Sequence, residues 1–271
     1  MKNVSLAQKI TESGLMIALA TILSIIKLID LPYGGSITLA SMLPVMIIAY
    51  RYGSLWGVFT GFTYGIIQAI LGSSSLSYAT SWQAVVAIIA LDYLFAFAAA
   101  GIAGCLKNHK NKAVGFGSGA FFACLIRYAF HVVSGCTVWA GLSIPTADAL
   151  TYSLVYNATY MIPETIVTVV AAVYVAGVID FTKPRLSTVK KESVSKTQRI
   201  LSAITGLVGV AFVTALSVIV FPALQNAETG DFDITGIKNV DTTSLIITVA
   251  AAIVIITGLL ITKKAIKSKK D

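Results

Sequence analysis

The feature that most constrains this chain is a series of long apolar blocks between residues 9 and 263. Most blocks are about 20 residues long, the length that an α-helix needs to cross about 30 Å of hydrocarbon. Charged residues make up only 12% of the chain, whereas about 25% is usual in soluble domains. The sequence therefore predicts an all-α fold, a polytopic membrane helix bundle.

The blocks predict eight helices, of which the second and third are short and joined by a tight turn at 51–53. Pro163 is expected to bend the long sixth helix, because proline removes a backbone hydrogen bond and crowds the preceding turn. The predicted helices are 9–29, 36–50, 54–72, 82–106, 113–138, 149–179, 200–223 and 243–263.

A polar, basic stretch at 181–199 divides the chain. Residues 1–180 are predicted to form a six-helix membrane domain that carries the chemistry, and 181–199 a cytoplasmic linker. Residues 200–271 are predicted to form two additional transmembrane helices with a basic tail. No ionisable residue lies inside these two helices, so extra packing surface is their default interpretation.

The net charge of +8 reflects membrane topology better than a nucleic-acid partner, because the basic residues cluster at the ends of apolar blocks. With the N-terminus in the cytoplasm, all but three of the 20 Lys and Arg residues fall on the inner side. The exceptions are Lys27, Arg127 and Lys238. The predicted outer loops carry the acidic residues Asp30, Asp148, Glu228, Asp231, Asp233 and Asp241. We therefore expect a multi-pass protein of the cell membrane with both termini cytoplasmic.

Polar residues on three helices are predicted to meet at one depth in the outer half of the membrane. Ionisable groups at membrane depth are costly and are candidates for function. Recurrence every four residues places side chains on one face of a helix. Asp92 on helix 4, His131 on helix 5 and Asn157 on helix 6 are predicted to lie at one depth. Tyr93 follows Asp92, and Arg127, Gly135 and Trp139 share the helix face of His131. Tyr152, Tyr156 and Tyr160 form a stripe beside Asn157.

Each of these residues also has a structural interpretation. Asp92 could pair with Arg127 between helices, and His131 could be a core histidine with satisfied hydrogen bonds. The tyrosines could be packing residues or an interfacial belt. Glu164, lower in helix 6, is expected to have a structural partner, for which Arg127 is one candidate. Convergence at one depth favours a ligand site, because independent structural residues would scatter.

One carboxylate among aromatic rings suits an organic cation with a flat ring. Aromatic faces attract a cation by about 0.5–2 kcal/mol each where water is excluded, and imidazole and amide groups can bind the edges of a heterocycle. These residue types do not single out one compound.

Five segments carry a family resemblance: 31–53, 57–72, 91–104, 127–141 and 152–164. The sharpest is the HxxSGxxxW spacing of His131, Ser134, Gly135 and Trp139. In these segments the chain resembles the thiamine-specific S components of energy-coupling-factor (ECF) vitamin transporters.

The resemblance implies a six-helix substrate-binding core that works with a transmembrane coupling subunit and two cytosolic ATPases. It places the thiamine pocket near the outer face, under the loop that joins helices 1 and 2. The residues that correspond to the family's pocket are Asp92 and Tyr93 on the thiazolium side, His131, Trp139, Tyr152 and Asn157. The family's acid at position 92 is glutamate, so the shorter aspartate is a departure, as are the two additional helices.

Helix 1 carries Gly14 and Ala18, a small-xxx-small pair that lets another helix approach closely. In the family resembled, an alanine-rich helix 1 docks on the coupling subunit, which predicts the same role for this face. Packing within the chain is the alternative.

The sequence contains no G-x-x-x-x-G-K-[ST] phosphate loop, zinc-ligand spacing or serine-nucleophile elbow, so we expect no enzyme activity, metal or cofactor. The three cysteines are interpreted as packing residues. Three alternatives stay open. They are an S component for another vitamin or a thiamine precursor, a proton-driven secondary transporter that uses Asp92, His131 and Glu164, and a membrane enzyme with His131 as base.

Overall fold

The computed structural model describes residues 4–141, 146–189, 196–226 and 232–268. They group into two compact units, Met1–Val189 and Lys190–Asp271. Part of the predicted linker, residues 190–195, lies outside the described residues.

The first unit is a helix bundle with a small β-hairpin. Its helices are α1 (Leu6–Ile25), α2 (Leu43–Tyr52), α3 (Ser54–Leu71), α4 (Trp82–Leu106), α5 (Lys112–Gly141) and α6 (Thr146–Val178). Its strands are β1 (Lys27–Asp30) and β2 (Ser36–Thr38), which pair antiparallel, and the short pair β3 (Ile179–Asp180) and β4 (Ser187–Thr188).

Seven helices among the described residues are long and apolar enough to cross a membrane, which confirms the prediction of a helical membrane bundle. The exception, α2, has ten residues, or about 15 Å of helix. The predicted helix 36–50 is therefore wrong over its first residues, and the predicted first helix is wrong beyond Ile25.

The β-hairpin replaces those helical turns because its turn sequence cannot continue a helix. Pro32 opens a 3-10 turn (Pro32–Gly34) in which Tyr33 and Gly34 both have positive φ, 64° and 90°. Proline and glycine at these positions favour a reversal of the chain. The flanking segments then pair with each other, with Ile29 opposite Ile37.

A buried ion pair ties the end of α2 to the beginning of α1. Arg51 is only 1% exposed, and its Nε lies 2.8 Å from Glu12 Oε2. The Arg51 guanidinium also donates to the carbonyl of Pro184, at 2.6 Å. The hairpin and α2 together therefore return the chain to the level at which α1 begins.

Helix α4 departs from α-helical geometry where it meets the candidate site. It is a π-helix over Ile88–Phe95 and a 3-10 helix over Ala99–Leu106. Wide π turns often occur at functional sites, and this one contains Asp92 and Tyr93. Close packing on α3 depends on glycine, because a Cβ on Gly61 would lie 2.3 Å from a carbonyl oxygen of α4.

The second unit contains two long helices, α7 (Lys196–Val220) and α8 (Thr242–Ser268). Between them, the described residues form two 3-10 turns, Pro222–Leu224 and Ile234–Asn239. Most apolar side chains of α8 are exposed, such as Val254 at 71%. Such a surface is suited to contact with lipid rather than water.

Candidate ligand-binding site

A cavity of about 410 Å³ opens in the first unit between the β-hairpin and helices α3 to α6. Its polar wall includes Asp92, Arg127, His131 and Asn157, with Lys27, Thr38 and Gln68 also lining the cavity. Its aromatic wall comprises Tyr33, Tyr78, Tyr93, Phe97, Tyr156 and Tyr160. The serine hydroxyls Ser24, Ser36, Ser74 and Ser75 line it as well. The cavity is thus partly enclosed, aromatic and polar on one side.

The carboxylate of Asp92 is held at both oxygens by α5. His131 Nδ1 lies 2.7 Å from Oδ1, and Ser134 Oγ donates to Oδ2 at 2.6 Å. The side chain of Asp92 stays 26% exposed, whereas that of His131 is 8% exposed. The carboxylate is therefore fixed in orientation but still faces the cavity.

Arg127 does not pair directly with Asp92. Its Nε donates to His131 Nε2 at 3.1 Å, and Nη1 lies 3.2 Å from the sulfur of Met42. Its Cζ sits 4.8 Å from the centroid of the Phe97 ring. Within the described part of the chain, no carboxylate oxygen lies within 4.0 Å of the guanidinium. The imidazole of His131 therefore stands between the cation and the anion.

Asn157 braces the same region from α6. Its Nδ2 donates to the carbonyl of Ser153 at 2.8 Å and to the carbonyl of His131 at 3.3 Å. Its Oδ1 accepts from the Tyr160 hydroxyl at 2.5 Å. Gly135 allows this approach, because a Cβ there would lie 2.2 Å from Ser153 Oγ. The predicted meeting of Asp92, His131 and Asn157 is thus a feature of the structure.

Tyrosines from the hairpin, the 73–78 turn and α6 form a cluster of edge-to-face rings. The centroid of Tyr33 lies 5.0 Å from that of Tyr78 and 6.2 Å from that of Tyr156. Tyr156 lies 5.8 Å from Tyr160, and its hydroxyl accepts from the Gly35 backbone N–H at 3.0 Å. The hairpin is therefore fastened to the aromatic wall.

Tyr93 is anchored at the end of α3. Its hydroxyl donates to the carbonyl of Gly72 at 2.7 Å and lies 2.8 Å from Ser75 Oγ. A Cβ on Gly72 would lie 2.2 Å from that hydroxyl, so only glycine at this position leaves room for the Tyr93 ring.

Glu164 has a structural partner, but the partner is Thr38 of β2 rather than Arg127. The Thr38 backbone N–H and its Oγ1 each lie 2.7 Å from a carboxylate oxygen of Glu164. Glu164 is 2% exposed and Thr38 is 7% exposed. This contact pins the second strand of the hairpin to α6 at the wall of the cavity, which Thr38 lines.

Two predicted site residues are not part of the described wall. Tyr152 lies on α6, one turn from Tyr156, but not among the cavity-lining residues. Trp139 lies on α5, and its side chain falls outside the described residues. Their predicted contacts with a ligand stay predictions.

The resemblance placed the loop between helices 1 and 2 over the pocket, but sequence reasoning missed the side chains that this segment and the 73–78 turn contribute. Tyr33 and Tyr78 lie outside the predicted helices, so helical spacing could not predict the direction of their side chains. The Pro-Tyr-Gly-Gly run at 32–35 was the available signal, because such a run marks a tight turn that can carry a side chain over a pocket.

The described groups of the site are suited to holding an organic ligand. Among the described residues, no group of three or more His, Cys, Asp or Glu is placed to hold a metal ion. The arrangement offers one oriented carboxylate, hydroxyl and amide groups, and several ring faces.

Three comparisons with known proteins each find similarity to thiamine transporters. A family model described as "Thiamine transporter protein (Thia_YuaJ)" matches residues 10–183. The curated thiamine transporter ThiT of Bacillus subtilis is 33% identical over 190 residues, which cover 66% of this chain and 93% of the relative. ThiT of Lacticaseibacillus paracasei is 26% identical, covering 67% and 90%.

A solved structure of ThiT from Listeria monocytogenes superposes with a TM-score of 0.51 at 20% identity, covering 62% of this chain and 92% of that one. At that identity the similarity concerns the fold. The family match spans more than half of the chain, and it ends before α7 and α8. The chain therefore belongs to the thiamine transporter protein family.

Proposed function

We propose that the chain binds thiamine in the cavity at the outer face of the membrane and delivers it for ATP-driven uptake. The single observation that carries the proposal is the Asp92 carboxylate, held by two donors and exposed to an aromatic cavity in a member of this family. In this role the chain is the S component of an ECF transporter, with a coupling subunit and two cytosolic ATPases as partners.

Thiamine has a permanently cationic thiazolium ring and a flat aminopyrimidine, which match the two walls. The thiazolium would lie toward Asp92 and Tyr93, where charge and ring faces both favour a cation. Asn157 and the Tyr156 and Tyr160 hydroxyls border the heterocycle's edge. Trp139 and Tyr152 complete the proposed pocket through the family resemblance.

His131 has a different role in this proposal from the one expected from the sequence. Both of its ring nitrogens are engaged by protein groups, so it orients Asp92 and presents only part of its ring to the cavity. The histidine thus acts through the carboxylate.

Gly14 and Ala18 on α1 support the proposed partner surface. Both are exposed, and a Cβ on Gly14 would meet no atom within 4 Å. Lysines and arginines near the ends of the apolar blocks favour a cytoplasmic N-terminus. The small face of α1 is therefore available to a helix of the coupling subunit.

Calorimetric titration of the purified chain with thiamine tests the ligand. Riboflavin and an aminopyrimidine precursor that lacks the thiazolium serve as comparisons. We expect saturable binding of thiamine that exceeds binding of either comparison. Preference for another vitamin would move the chain to that substrate and would contradict the thiazolium–Asp92 pairing.

Uptake into cells that express the chain with and without the ATPase subunits tests the energy source. We expect uptake to vanish without the ATPases. Uptake that persists and follows the proton gradient would instead support a secondary transporter.

Tryptophan at both Gly14 and Ala18 tests the partner surface. A bulky ring on each would block close helix approach, so we expect uptake to be lost while thiamine binding is unchanged. The exposed Leu15 of the same helix can be replaced by tryptophan as a matched control. Unchanged uptake in the Gly14→Trp/Ala18→Trp variant would contradict docking through this face.

A further inference from the structure

The contacts of His131 determine which of its nitrogens carries the proton. Arginine stays protonated in proteins and has only donors, so Arg127 Nε must donate and His131 Nε2 must accept, across 3.1 Å. A neutral imidazole has one donor and one acceptor. The proton therefore resides on Nδ1, which donates to Asp92 Oδ1 at 2.7 Å.

We infer that Arg127 is a positioning residue that locks His131 in the neutral Nδ1–H tautomer and thereby keeps the Asp92 charge available to a cationic ligand. An imidazolium would place a second N–H against the guanidinium N–H, where two donors and two positive charges would oppose each other. The contact with Arg127 therefore disfavours protonation of the ring.

Among the described residues, no second acid competes with Asp92 for the ring of His131. Asp92 faces His131 from α4, Arg127 from its own helix, and Tyr160 from α6 with ring centroids 6.0 Å apart. Glu164, a buried acid on α6, is engaged by Thr38. Within the described residues, the ring thus has one anionic and one cationic neighbour.

A neutral spacer explains how a pocket for a cation can contain an arginine. In a direct Arg127–Asp92 pair, the guanidinium would neutralise the carboxylate and its positive charge would repel the ligand. The imidazole separates the two charges, and Met42 and Phe97 provide the arginine with a neutral environment. Asp92 then keeps its charge on the side that faces the cavity.

The tautomer can be measured without any ligand. The chain has two histidines, and His109 is exposed, so a His109→Gln variant leaves His131 as the only imidazole. Nitrogen-15 NMR of the labelled ring distinguishes Nδ1–H, Nε2–H and imidazolium. We expect Nδ1–H alone from about pH 5.5 to about pH 8, on either side of the ordinary histidine pKa. An Nε2–H ring, or titration within this range, would overturn the inference.

Replacing the arginine should release the ring. In Arg127→Met, Nε2 is free to take a proton, and an imidazolium would neutralise Asp92. With an ordinary histidine pKa of about 6.5, the fraction of neutral ring falls about tenfold between about pH 8 and about pH 5.5. This effect on affinity rests on the proposed thiamine function. We expect the ratio of the variant's Kd to the wild-type Kd to rise about tenfold over that range.

Arg127→Lys is the conservative variant, since an ammonium keeps both the donor and the charge. In Arg127→Lys, the ratio of the variant's Kd to the wild-type Kd should again be independent of pH. A merely structural loss in Arg127→Met would instead raise its Kd by the same factor at every pH. A flat ratio in Arg127→Met would overturn the positioning role. Absence of thiamine binding in the wild type would refute the proposed function, and the NMR experiment would still decide the tautomer. If Arg127→Met fails to fold, the NMR result on the arginine-containing chain decides alone.

Discussion

Removing the charge of Asp92 without changing its shape is the sharpest test of the proposed site. An asparagine side chain is nearly isosteric with aspartate, so the Asp92→Asn variant keeps the shape of the wall. The new amide oxygen can accept from His131 Nδ1, and the amide nitrogen can donate to Ser134 Oγ, because a hydroxyl both donates and accepts. The variant should therefore fold with its contacts to α5 preserved and lose only the negative charge.

The magnitude follows from the charge and its exposure. Two unit charges about 5 Å apart interact by about 3 kcal/mol at an effective dielectric constant of about 20. Water screens part of this, because 26% of the Asp92 side chain is exposed. We expect a loss of about 2–3 kcal/mol in binding free energy, or roughly 30- to 150-fold in Kd.

Calorimetric titration with thiamine measures this loss, and the melting temperature reports whether the fold is retained. Asp180→Asn is the matched control, because Asp180 lies beyond α6, bonds to Thr182 and does not line the cavity. It should bind thiamine like the wild type. An Asp92→Asn variant with unchanged affinity would refute the electrostatic argument, and Asp92→Glu should retain most of the affinity.

Three further changes test the scaffold of the site. Arg51→Gln leaves Glu12 of α1 without its buried partner, so we expect a loss of about 3–5 kcal/mol in stability. Lys27→Gln removes one member of an exposed ion pair and should cost under about 1 kcal/mol. Equal melting temperatures of the two variants would contradict this distinction between buried and exposed pairs. Thr38→Val removes a hydroxyl donor from the buried Glu164 carboxylate, and we expect about 1–3 kcal/mol of destabilisation. Thiamine should also dissociate faster in stopped-flow fluorescence, because the hairpin is held less firmly over the cavity. An unchanged off-rate would show that the position of the hairpin does not depend on this contact. In Gly72→Ala, the added methyl group would displace the Tyr93 hydroxyl from its hydrogen bonds. Such overpacking costs about 1–3 kcal/mol of stability, and the displaced ring should bind thiamine more weakly. Wild-type affinity in the variant would mean that the Tyr93 ring can shift without cost to binding.

Helical periodicity was sufficient to predict which polar residues of the membrane helices come together in the site. Asp92, His131 and Asn157 lie on long helices whose boundaries follow from the length of the apolar blocks, so their common depth could be estimated from the rise per residue. Their mutual hydrogen bonds could not be. They depend on how α4, α5 and α6 rotate about their axes, and the π-helical stretch of α4 changes that rotation locally.

Pairing preferences among the charged residues were harder to foresee. Arg127 and Glu164 each had a plausible ionic partner by depth alone. The structure gives Arg127 the imidazole and gives Glu164 the hairpin, because side-chain direction, rather than depth, decides which groups come within hydrogen-bonding distance.

The amino-acid sequence by itself determined that the chain is a helical membrane protein and which helices carry its polar residues. Water and lipid impose those features on each segment separately, through the length and composition of the apolar blocks. Tertiary structure alone decided that residues 27–38 pair as a β-hairpin, that Tyr33 and Tyr78 line the cavity, and that His131 separates Arg127 from Asp92. These features depend on contacts between segments distant in sequence, and no local pattern encodes the relative rotation and register of packed helices.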